Sequence, residues 1–585
     1  MSGYNNFSNS KINNFKKIYN KINMKDIYSE VLAAHTAPGQ LFETKDVIND
    51  KGVTYKEYVH FPDSLRGFLD FGLLHGDKDW LVYEDERFTY KEVFEKSAQL
   101  GNALIDAGIE KGDRVAICMQ NNPEYVFAYL GILGIGAVCV PLNSWWVPSE
   151  VIYGLEHSDA KLLIADERRL KGLESLPKVK KISTTYAPDD SFISFKDFIN
   201  GHGSSFPEIN IERNDNATIY YTSGSTGKPK GVLSSQKGVI ATMFSWGCYS
   251  AVTGEVAKMN DPDATPVVGP DLAILHCVPL FHVTGSHAGL LMSILAGRKI
   301  VMMRKWDAGH ALKLIEDEKI SDITGVPTQT WELLNHPDRL NYDLSSLKTL
   351  GGGGGPRPAE HVKLLDEEFE GRPGIGYGLS ETNACGTLGN GDEYINNPSS
   401  AGRVVPPVTE VRIIDNEWND VEEGGLGEIA IKSMANMVCY WKNPEATEEC
   451  VNDDGWFKTG DLGKFDGPFL YIIDRVKDMV IRGGENIACP EVEGAIYEHS
   501  DILEACVFGI PDERLGEILC ASIVLRDNRV MTSEDLKLFL ADKLAAFKIP
   551  LQIYFSDSIL PRLASGKFDK PLLRKEFSSK FKKTL

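Results

Sequence analysis

Residues 222–231 read Thr-Ser-Gly-Ser-Thr-Gly-Lys-Pro-Lys-Gly, directly after the apolar run Ala-Thr-Ile-Tyr-Tyr at 217–221. The apolar run predicts a buried strand, and the glycines that follow predict that this strand ends in a tight loop. Backbone N–H groups, hydroxyls and ammonium groups crowded into one such loop suit a polyphosphate. The residues predicted to bind it are Thr222, Ser223, Gly224, Ser225, Thr226, Gly227, Lys228 and Lys230.

This loop does not follow the Walker A pattern G-x-x-x-x-G-K-[ST], which also binds phosphates. Pro229 stands after Lys228 where Walker A requires Ser or Thr, and Thr222 stands where its first glycine should be. The Rossmann pattern G-x-G-x-x-G is absent from the stretch as well. On its own the stretch could also be a solvated turn, so its meaning depends on the rest of the chain.

The composition is that of a soluble globular protein with more than one domain. The chain has 585 residues, which is too many for a single hydrophobic core. Hydrophobic residues make up 42% and charged residues 25%, and both values are ordinary. The net charge of −21 argues against nucleic acid or an anionic membrane as the main partner. Any anionic substrate must therefore be met by local cations.

Ten cysteines are scattered along the chain, with no C-x-x-C pair and no Cys/His spacing typical of a zinc site. This usage predicts free thiols in a reducing compartment, and hence a cytoplasmic protein. The first 25 residues carry five lysines and no acidic residue, so a mitochondrial targeting peptide is the alternative. The lack of arginine there favours a polar extension instead.

Residues 126–148 form a run of 23 residues without charge, which is long enough to cross a membrane. Glycines and prolines divide this run, and the pattern predicts a buried helix from Pro123 followed by a short buried strand over 136–142. No integral membrane span is therefore expected. The alternative that the protein is a membrane transporter is supported by this run alone.

Helix and strand patterns alternate over most of the chain. The capping box Thr-Tyr-Lys-Glu at 89–92 predicts the start of a long helix, and residues 114–119 are then typical of a buried strand. This alternation predicts an α/β protein with mainly parallel sheets. Around residue 410 two strands of alternating polarity predict a small β-rich subdomain, and a new α+β pattern begins after Arg475.

Two further segments agree with the loop at 222–231. Gly-Tyr-Gly-Leu-Ser-Glu-Thr at 376–382 and Lys-Thr-Gly-Asp-Leu at 458–462, together with that loop, resemble the signature segments of the adenylate-forming superfamily. This superfamily contains acyl-CoA synthetases, the adenylation domains of non-ribosomal peptide synthetases, and luciferases. The resemblance extends over residues 65–575. It implies a large N-terminal domain of α/β subdomains with a small β-rich subdomain, followed by a small mobile α+β C-terminal domain.

The expected domain boundaries follow from these motifs. Residues 1–60 are expected to form an N-terminal extension, residues 61–474 the adenylate-forming domain that binds AMP, and residues 475–585 the C-terminal domain. No carrier-protein domain with a serine attachment motif is expected after residue 567, which leaves free CoA as the acceptor thiol.

The resemblance implies roles for several residues at the nucleotide. Tyr377 would stack on adenine, Ser380 would meet the α-phosphate, and Glu381 would help to hold Mg²⁺. The family often has Thr at the place of Ser380, and the hydroxyl is kept here. Asp461 would accept from both ribose hydroxyls, because a carboxylate suits a diol. Further implied contacts to ATP are Gly353, Gly354, Gly355, Gly376, Gly378 and Arg475.

The segment Pro-Leu-Phe-His-Val-Thr-Gly at 279–285 resembles the one whose histidine borders the carboxylate substrate, which implies this role for His282. Residues 285–286 and the glycine run 351–355 place little bulk along the expected acyl channel, and Gly355 replaces an alanine of the family. This small bulk favours a medium- or long-chain fatty acid. An aryl or dicarboxylic acid, and a luciferase-like relative, are the alternatives.

Pro-Arg-Leu-Ala-Ser-Gly-Lys at 561–567 resembles the loop with the family's catalytic lysine, here Lys567. A mobile ammonium group there would offset the repulsion between the carboxylate of the acid and the α-phosphate. The family rotates its C-terminal domain about a hinge, here Lys477, between two half-reactions. The segment Arg-Gly-Gly-Glu-Asn at 482–486 is typical of acyl- and aryl-CoA ligases and would open the path for the CoA thiol. Its residues implied in the CoA step are Gly483, Gly484 and Glu485.

These segments predict an ATP-dependent acid–CoA ligase that uses Mg²⁺ and whose partners are a small-molecule carboxylic acid, ATP and CoA. The acid and ATP would give acyl-AMP and pyrophosphate, and CoA would then displace AMP. A degenerate member that only binds nucleotide would lack Lys567, Glu381 or Asp461, and all three are present. A homodimer is compatible with the resemblance but does not follow from the residues.

Overall fold

The computed structural model describes residues 27–49, 52–173, 179–184, 192–222, 228–261, 272–482, 485–512, 514–563 and 566–581. Within these ranges the chain forms three main sheets and one short hairpin, with helices packed on the sheets. The hairpin pairs Thr44–Ile48 with Thr54–Tyr58 in antiparallel register and precedes the first main sheet in the chain.

The first sheet has eight strands and is mostly parallel, as the alternating pattern predicts. A long antiparallel pair joins Asn216–Thr222 to Lys230–Ser235, which flank the predicted phosphate loop. Cys439–Tyr440 pairs with the second of these strands from a distant part of the chain. In spatial order the strands are Cys439–Tyr440, Lys230–Ser235, Asn216–Thr222, Val138–Pro141, Arg114–Cys118, Leu162–Ala165, Lys180–Ser183 and Phe192–Ser194.

The second sheet has thirteen strands and changes character across its width. The strands from Asp79–Tyr83 to Arg372–Tyr377 pair in parallel, whereas those from Thr387–Asn390 onward pair antiparallel. The β-rich part predicted near residue 410 lies at this antiparallel end. In spatial order the strands are Thr409–Ile414, Gly427–Ser433, Phe457–Asp466, Phe469–Arg475, Gly402–Val404, Thr387–Asn390, Arg372–Tyr377, Thr349–Gly352, Asp322–Gly325, Ala273–His276, Lys299–Met302, Asp79–Tyr83 and Glu86–Thr89.

The third sheet has five strands and follows the turn after Arg475. Its residues share a hydrophobic core in which Val507 and Leu519 are fully buried. A separate core is what the predicted C-terminal domain requires, and the boundary near residue 475 stays a prediction. The strands are Val480–Arg482, Glu485–Ile487, Ile502–Asp512, Gly516–Leu525 and Gln552–Phe555.

Several helices begin where a side chain caps the first turn. Thr89 and Glu92 form the predicted capping box, and the helix that they open spans Tyr90–Asp106. A π-helix spans Thr284–Leu291, and short 3₁₀ helices span Arg339–Asn341, Ser380–Thr382 and Ala546–Lys548. The other helices are Leu65–Leu73, Pro123–Gly134, Pro148–Ser158, Glu167–Leu170, Phe195–Ile199, Gln236–Asn260, Met292–Ala296, Ala308–Glu318, Pro327–Leu334, Ala359–Glu368, Gly391–Asn396, Pro444–Cys450, Cys489–Tyr497, Ser533–Ala541 and Lys570–Phe581.

The largest core takes residues from both of the first two sheets, among them Ile117 and Ile274. The apolar run 126–148 belongs to it as the helix Pro123–Gly134 and the strand Val138–Pro141, which confirms the predicted helix and strand. Among the described helices, none has the length and apolar character needed to span a membrane. The ten cysteines all lie in the described ranges, and no disulfide joins any two of them there.

Candidate active site

The two strands that flank the predicted phosphate loop form a hairpin, in which Thr222 pairs with Lys230. Ile219 and Val232 are fully buried, so packing fixes both strands in the first sheet. The end of the hairpin lies outside the described residues, and its contacts to phosphate stay predictions. The predicted phosphate ligands in this undescribed end are Ser223, Gly224, Ser225, Thr226 and Gly227.

Both lysines of this hairpin lie over tyrosine rings. Nζ of Lys228 is 5.2 Å from the ring centroid of Tyr153, and Nζ of Lys230 is 4.8 Å from the ring centroid of Tyr440. Ring faces attract ammonium groups without neutralising them. A cavity of about 270 Å³ lies beside both lysines, and their charges suit it to an anion.

Glu381 lies close to this hairpin, in the 3₁₀ helix Ser380–Thr382 that follows the glycine-rich segment. Its side chain is buried, and Oε1 accepts a hydrogen bond of 2.7 Å from the Tyr440 hydroxyl. Loss of solvation raises the pKa of Glu381, while the Tyr440 hydroxyl and the cations of Arg475 and Lys230 favour the charged form. The structure thus places a buried carboxylate near the Lys230 ammonium group, as the motifs predict.

Asp461, the predicted ribose ligand, pairs with Arg475 across two neighbouring strands of the second sheet. Asp461 is buried, and Nε of Arg475 lies 3.3 Å from its Oδ1. The Tyr377 hydroxyl donates to Oδ2 of Asp461 at 2.8 Å. Loss of solvation, followed by the charge of Asp461, raises the pKa of Tyr377, so the phenol keeps the proton that it donates. The residues predicted for adenine and ribose therefore lie together.

The two predicted glycine segments also meet. Gly353 forms a parallel bridge with Gly376, which joins the segments side by side. Gly354 has a φ of +74°, in the left-handed region that strains other residues. A Cβ atom on Gly378 would lie 2.4 Å from a neighbouring backbone carbonyl carbon, so the chain is too close there for a side chain. A Cβ atom on Gly355 would meet no atom of the described residues within 4 Å, and it faces open space.

Lys567 stands at the end of a tight turn, in which the N–H of Leu563 donates to its carbonyl at 2.8 Å. The lysine side chain is exposed and lies over Gly354, where an added Cβ atom would be 3.5 Å from its Cε. Desolvation by the surrounding protein, and then the charge of Arg475, lower the pKa of Lys567 to about 8, while Asp461 opposes this shift. Lys567 is therefore mostly an ammonium group at neutral pH, close to the predicted ribose residues.

His282 lies just before the π-helix Thr284–Leu291. Its Nε2 is buried, and no described residue offers it a hydrogen-bond partner. Loss of solvation, followed by the charge of Lys567, lowers the pKa of His282 to about 4, so the imidazole is neutral at neutral pH. An unpaired buried nitrogen within electrostatic reach of Lys567 is available to a substrate.

The small residues Gly285 and Ser286 were predicted to leave room for an acyl chain, and the structure shows that they pack inside the protein instead. A Cβ atom on Gly285 would lie 2.4 Å from a backbone oxygen, so this glycine permits close packing of the chain. The Ser286 hydroxyl accepts a bond of 2.6 Å from Tyr220 and lies 2.9 Å from Nδ1 of His287, in a buried network. Their small size therefore gives no support for a wide acyl channel.

The predicted hinge residue Lys477 is exposed, in a turn between the strands Phe469–Arg475 and Val480–Arg482. These two strands belong to different sheets, the second and the third. Glu485 is exposed at the start of its strand, and Gly483 and Gly484 lie outside the described residues. The position of Lys477 is suited to a hinge, since it connects two sheets without belonging to either core.

The AMP-binding enzyme family matches residues 73–441, and the C-terminal domain of the same enzymes matches residues 491–567. The chain belongs to the AMP-binding enzymes. This AMP-binding enzyme is 32% identical over 491 residues to the feruloyl-CoA synthase of an Amycolatopsis species, covering 84% of this chain and 94% of that protein. It is 31% identical over 502 residues to the long-chain-fatty-acid–CoA ligase FadD13 of Mycobacterium tuberculosis, covering 85% and 94%.

The fold agrees with that of a solved family member. The crystal structure of the anthranilate CoA ligase AuaEII in complex with anthranoyl-AMP matches with a TM-score of 0.81 at 24% identity, covering 90% of this chain and 99% of that one. The match confirms the predicted α/β architecture with a smaller C-terminal domain. The family confirms the resemblance to adenylate-forming enzymes and the predicted class, an AMP-forming acid–thiol ligase.

Tyr440 contacts both Glu381 and Lys230, yet the sequence analysis does not identify it. It reaches the site because the strand Cys439–Tyr440 pairs with Lys230–Ser235. This pairing joins distant parts of the chain, and the residues around Tyr440 carry no local pattern that would predict it.

Proposed function

We propose that this AMP-binding enzyme joins a carboxylic acid to CoA in two steps, with ATP as the activating substrate. The observation that carries the proposal is the position of Lys567, which comes from the C-terminal part of the chain. Its side chain lies over Gly354, and its ammonium group is within electrostatic reach of Asp461 and Arg475. A protein that only binds nucleotide has no need for an ammonium group supplied from a second part of the chain.

In the first step a carboxylate oxygen of the acid attacks the α-phosphorus of ATP. A bond from this oxygen to phosphorus forms, the bond to pyrophosphate breaks, and acyl-AMP results. Both reacting groups are anionic, so the Lys567 ammonium group lowers the barrier by offsetting their repulsion. Lys228 and Lys230 take up charge on the departing pyrophosphate, and the neutral His282 borders the acid.

Glu381 is the residue that would hold Mg²⁺ against the phosphates of ATP. Mg²⁺ is usually bound through one or two carboxylates plus substrate phosphates, and Glu381 is a buried carboxylate close to Lys230. The bound ion would neutralise phosphate charge. The Tyr440 hydroxyl orients the carboxylate through its bond to Oε1, and Ser380 would meet the α-phosphate beside it.

In the second step the CoA thiolate attacks the acyl carbon, a thioester forms, and AMP leaves with the bonding electrons. Lys567 is no longer needed, and rotation about Lys477 would withdraw it. The exposed turn at Lys477 lies between two sheets, so its torsions can change without disturbing either core. Gly483, Gly484 and Glu485 would then line the path of the thiol.

The acid is proposed to be a medium- or long-chain fatty acid. The open space at Gly355 supports this choice, as does the similarity to FadD13, a long-chain-fatty-acid–CoA ligase. An aryl acid is the second candidate, because feruloyl-CoA synthase is a relative of comparable identity.

Pyrophosphate release over a panel of acids tests the proposal. The panel contains hexanoate, dodecanoate, hexadecanoate, ferulate, benzoate and malonate, each with and without CoA, and thioesters are identified by mass spectrometry. We expect release with fatty acids and thioester only when CoA is present. Release with ferulate alone would move the assignment to aryl acids. The absence of acid-dependent release would refute the ligase, and release without thioester in the presence of CoA would refute the second step.

A further inference from the structure

One face of the helix Pro327–Leu334 contacts the C-terminal part of the chain. Thr328, Trp331, Glu332 and the C-cap residue Asn335 follow the spacing i, i+3, i+4, i+7, which places their side chains on one side of a helix. These four residues are called the docking strip below. Its partners from the C-terminal part are Leu503, Arg526, Arg562 and Gly566. The helix itself packs beside the second sheet.

The first contacts of the docking strip are made with the turn that carries Lys567. The Thr328 hydroxyl donates to the carbonyl of Gly566 at 3.4 Å, one residue before the lysine. Glu332 Oε1 lies 3.5 Å from Nη2 of Arg562, and Nη1 of Arg562 donates to the same Gly566 carbonyl at 3.2 Å. The strip therefore contacts the turn directly at Gly566 and indirectly through Arg562.

The other contacts of the strip centre on the indole of Trp331. Its Nε1 donates to the carbonyl of Leu503 at 3.0 Å, and the Arg526 guanidinium lies 5.3 Å from its ring centroid. Arg526 also donates to the side-chain oxygen of Asn335. The indole stacks on the His361 ring with the ring centroids 3.6 Å apart, so this residue of the N-terminal part holds it in place. Trp331 is 6% exposed, and a buried indole over a cation is a strong anchor.

We propose that the docking strip is a latch that positions the Lys567 turn for acyl-AMP formation and must release before CoA can react. Trp331 and Arg526 are its main positioning residues. The latch rests on the two-step function proposed above. The proposed rotation about Lys477 would move everything after it relative to the helix, so all contacts between the strip and the C-terminal part would be lost together. The strength of the strip therefore sets the balance between the two half-reactions.

Arg526→Gln tests the latch, and Arg529→Gln is its matched control. Arg529 lies three residues further on, and its Nε is 3.2 Å from Asp501, a contact within the C-terminal part. Acyl-AMP formation is measured without CoA, and thioester formation is measured from supplied acyl-AMP and CoA. We expect Arg526→Gln to slow the first by about tenfold while the second stays unchanged or becomes faster. Arg529→Gln should change neither.

Two further variants separate positioning from loss of structure. Arg526→Lys keeps a cation over the indole and should restore most of the first half-reaction. Trp331→Phe keeps the ring stack on His361 but removes the N–H donor, and its effect should not add to that of Arg526→Gln. Melting temperatures of all variants show whether the fold is intact.

Three results decide the outcome. A wild-type enzyme that carries out both half-reactions, with both slowed equally in Arg526→Gln, would overturn the latch and leave the ligase standing. No change in either half-reaction would overturn it as well. A wild-type enzyme that forms no acyl-AMP with any acid of the panel would overturn the proposed function, and the latch with it.

Discussion

Glu381 and Asp461, on the nucleotide side of the site, are buried and accept hydrogen bonds from tyrosine hydroxyls at 2.7 and 2.8 Å, whereas Lys567 is exposed at the end of a turn. Glu381 is bonded by Tyr440 from a strand of the first sheet, and Asp461 lies on a strand of the second. The lysine depends on contacts between two parts of the chain, such as Thr328 to Gly566. Fixed groups favour binding, and a group on a turn can be supplied for one step and then withdrawn. In the proposed reaction, the fixed carboxylates would hold the nucleotide and its metal ion, and the lysine would be supplied by another region for the first step only.

Removal of the Lys567 ammonium group should have the largest effect on the rate of acyl-AMP formation. Lys567→Ala should slow acyl-AMP formation by about 10³-fold, because the repulsion between carboxylate and phosphate is no longer offset. Thioester formation from supplied acyl-AMP should stay within about threefold of the wild-type rate. Lys575→Ala, which removes an exposed lysine from the next helix, is the control and should change neither step. Equal losses in both steps would contradict the role of Lys567.

Substitution of the buried carboxylate Glu381 should have the next largest effect. Glu381→Gln should slow acyl-AMP formation by about 10²-fold and raise the Mg²⁺ concentration needed for half-maximal rate. Tyr440→Phe removes only the hydrogen bond to the carboxylate and should cost about tenfold. Both effects are measured by pyrophosphate release in a Mg²⁺ titration. An unchanged Mg²⁺ requirement in Glu381→Gln would contradict a metal-binding role.

Substitution of Asp461, the predicted ribose ligand, should weaken ATP binding and leave the rate of the chemical step unchanged. Asp461→Asn should raise the KM for ATP by about tenfold, because a charged acceptor for the diol becomes neutral. The KM for the acid should be unaffected. Asp466→Asn alters an exposed carboxylate on the same strand and serves as the control. A loss confined to kcat would argue against the ribose contact.

The smallest effect concerns pH. In the proposed first step the protonated form of Lys567 is the active one, and the pKa of Lys567 is lowered to about 8. The kcat/KM for acyl-AMP formation should therefore be constant below this pKa and fall by about threefold between pH 7.5 and 8.5. Lys567→Arg should be slower but free of this fall, because a guanidinium stays charged in this range. A fall at the same pH in Lys567→Arg would assign it to another group.

Features that depend on neighbouring residues could be predicted from the sequence. The capping box at 89–92 and the buried helix and strand within 123–141 are of this kind, since local pattern determines them. The motif residues Tyr377, Asp461 and Lys567 are far apart in the chain, and only the family resemblance predicted that they would meet.

Features that depend on how distant segments pack could not be predicted. Tyr440 and Trp331 owe their positions to a strand pairing and to a contact between two parts of the chain. Gly285 shows a different limit, because a missing side chain makes room either for a ligand or for backbone. The small size of Gly285 predicted room for the acyl chain, and this prediction is wrong because the backbone packs closely there.

The strand Phe469–Arg475 ends with the residue that pairs with Asp461, and Lys477 follows two residues later. In the proposed cycle, only one residue separates Arg475, which would contact the ribose, from Lys477, the proposed hinge. A nucleotide that stays bound to Arg475 would therefore also restrain rotation about Lys477. Escape of AMP and the return of the enzyme to its starting geometry should for this reason be one kinetic event, with a single rate constant, at the end of each catalytic cycle.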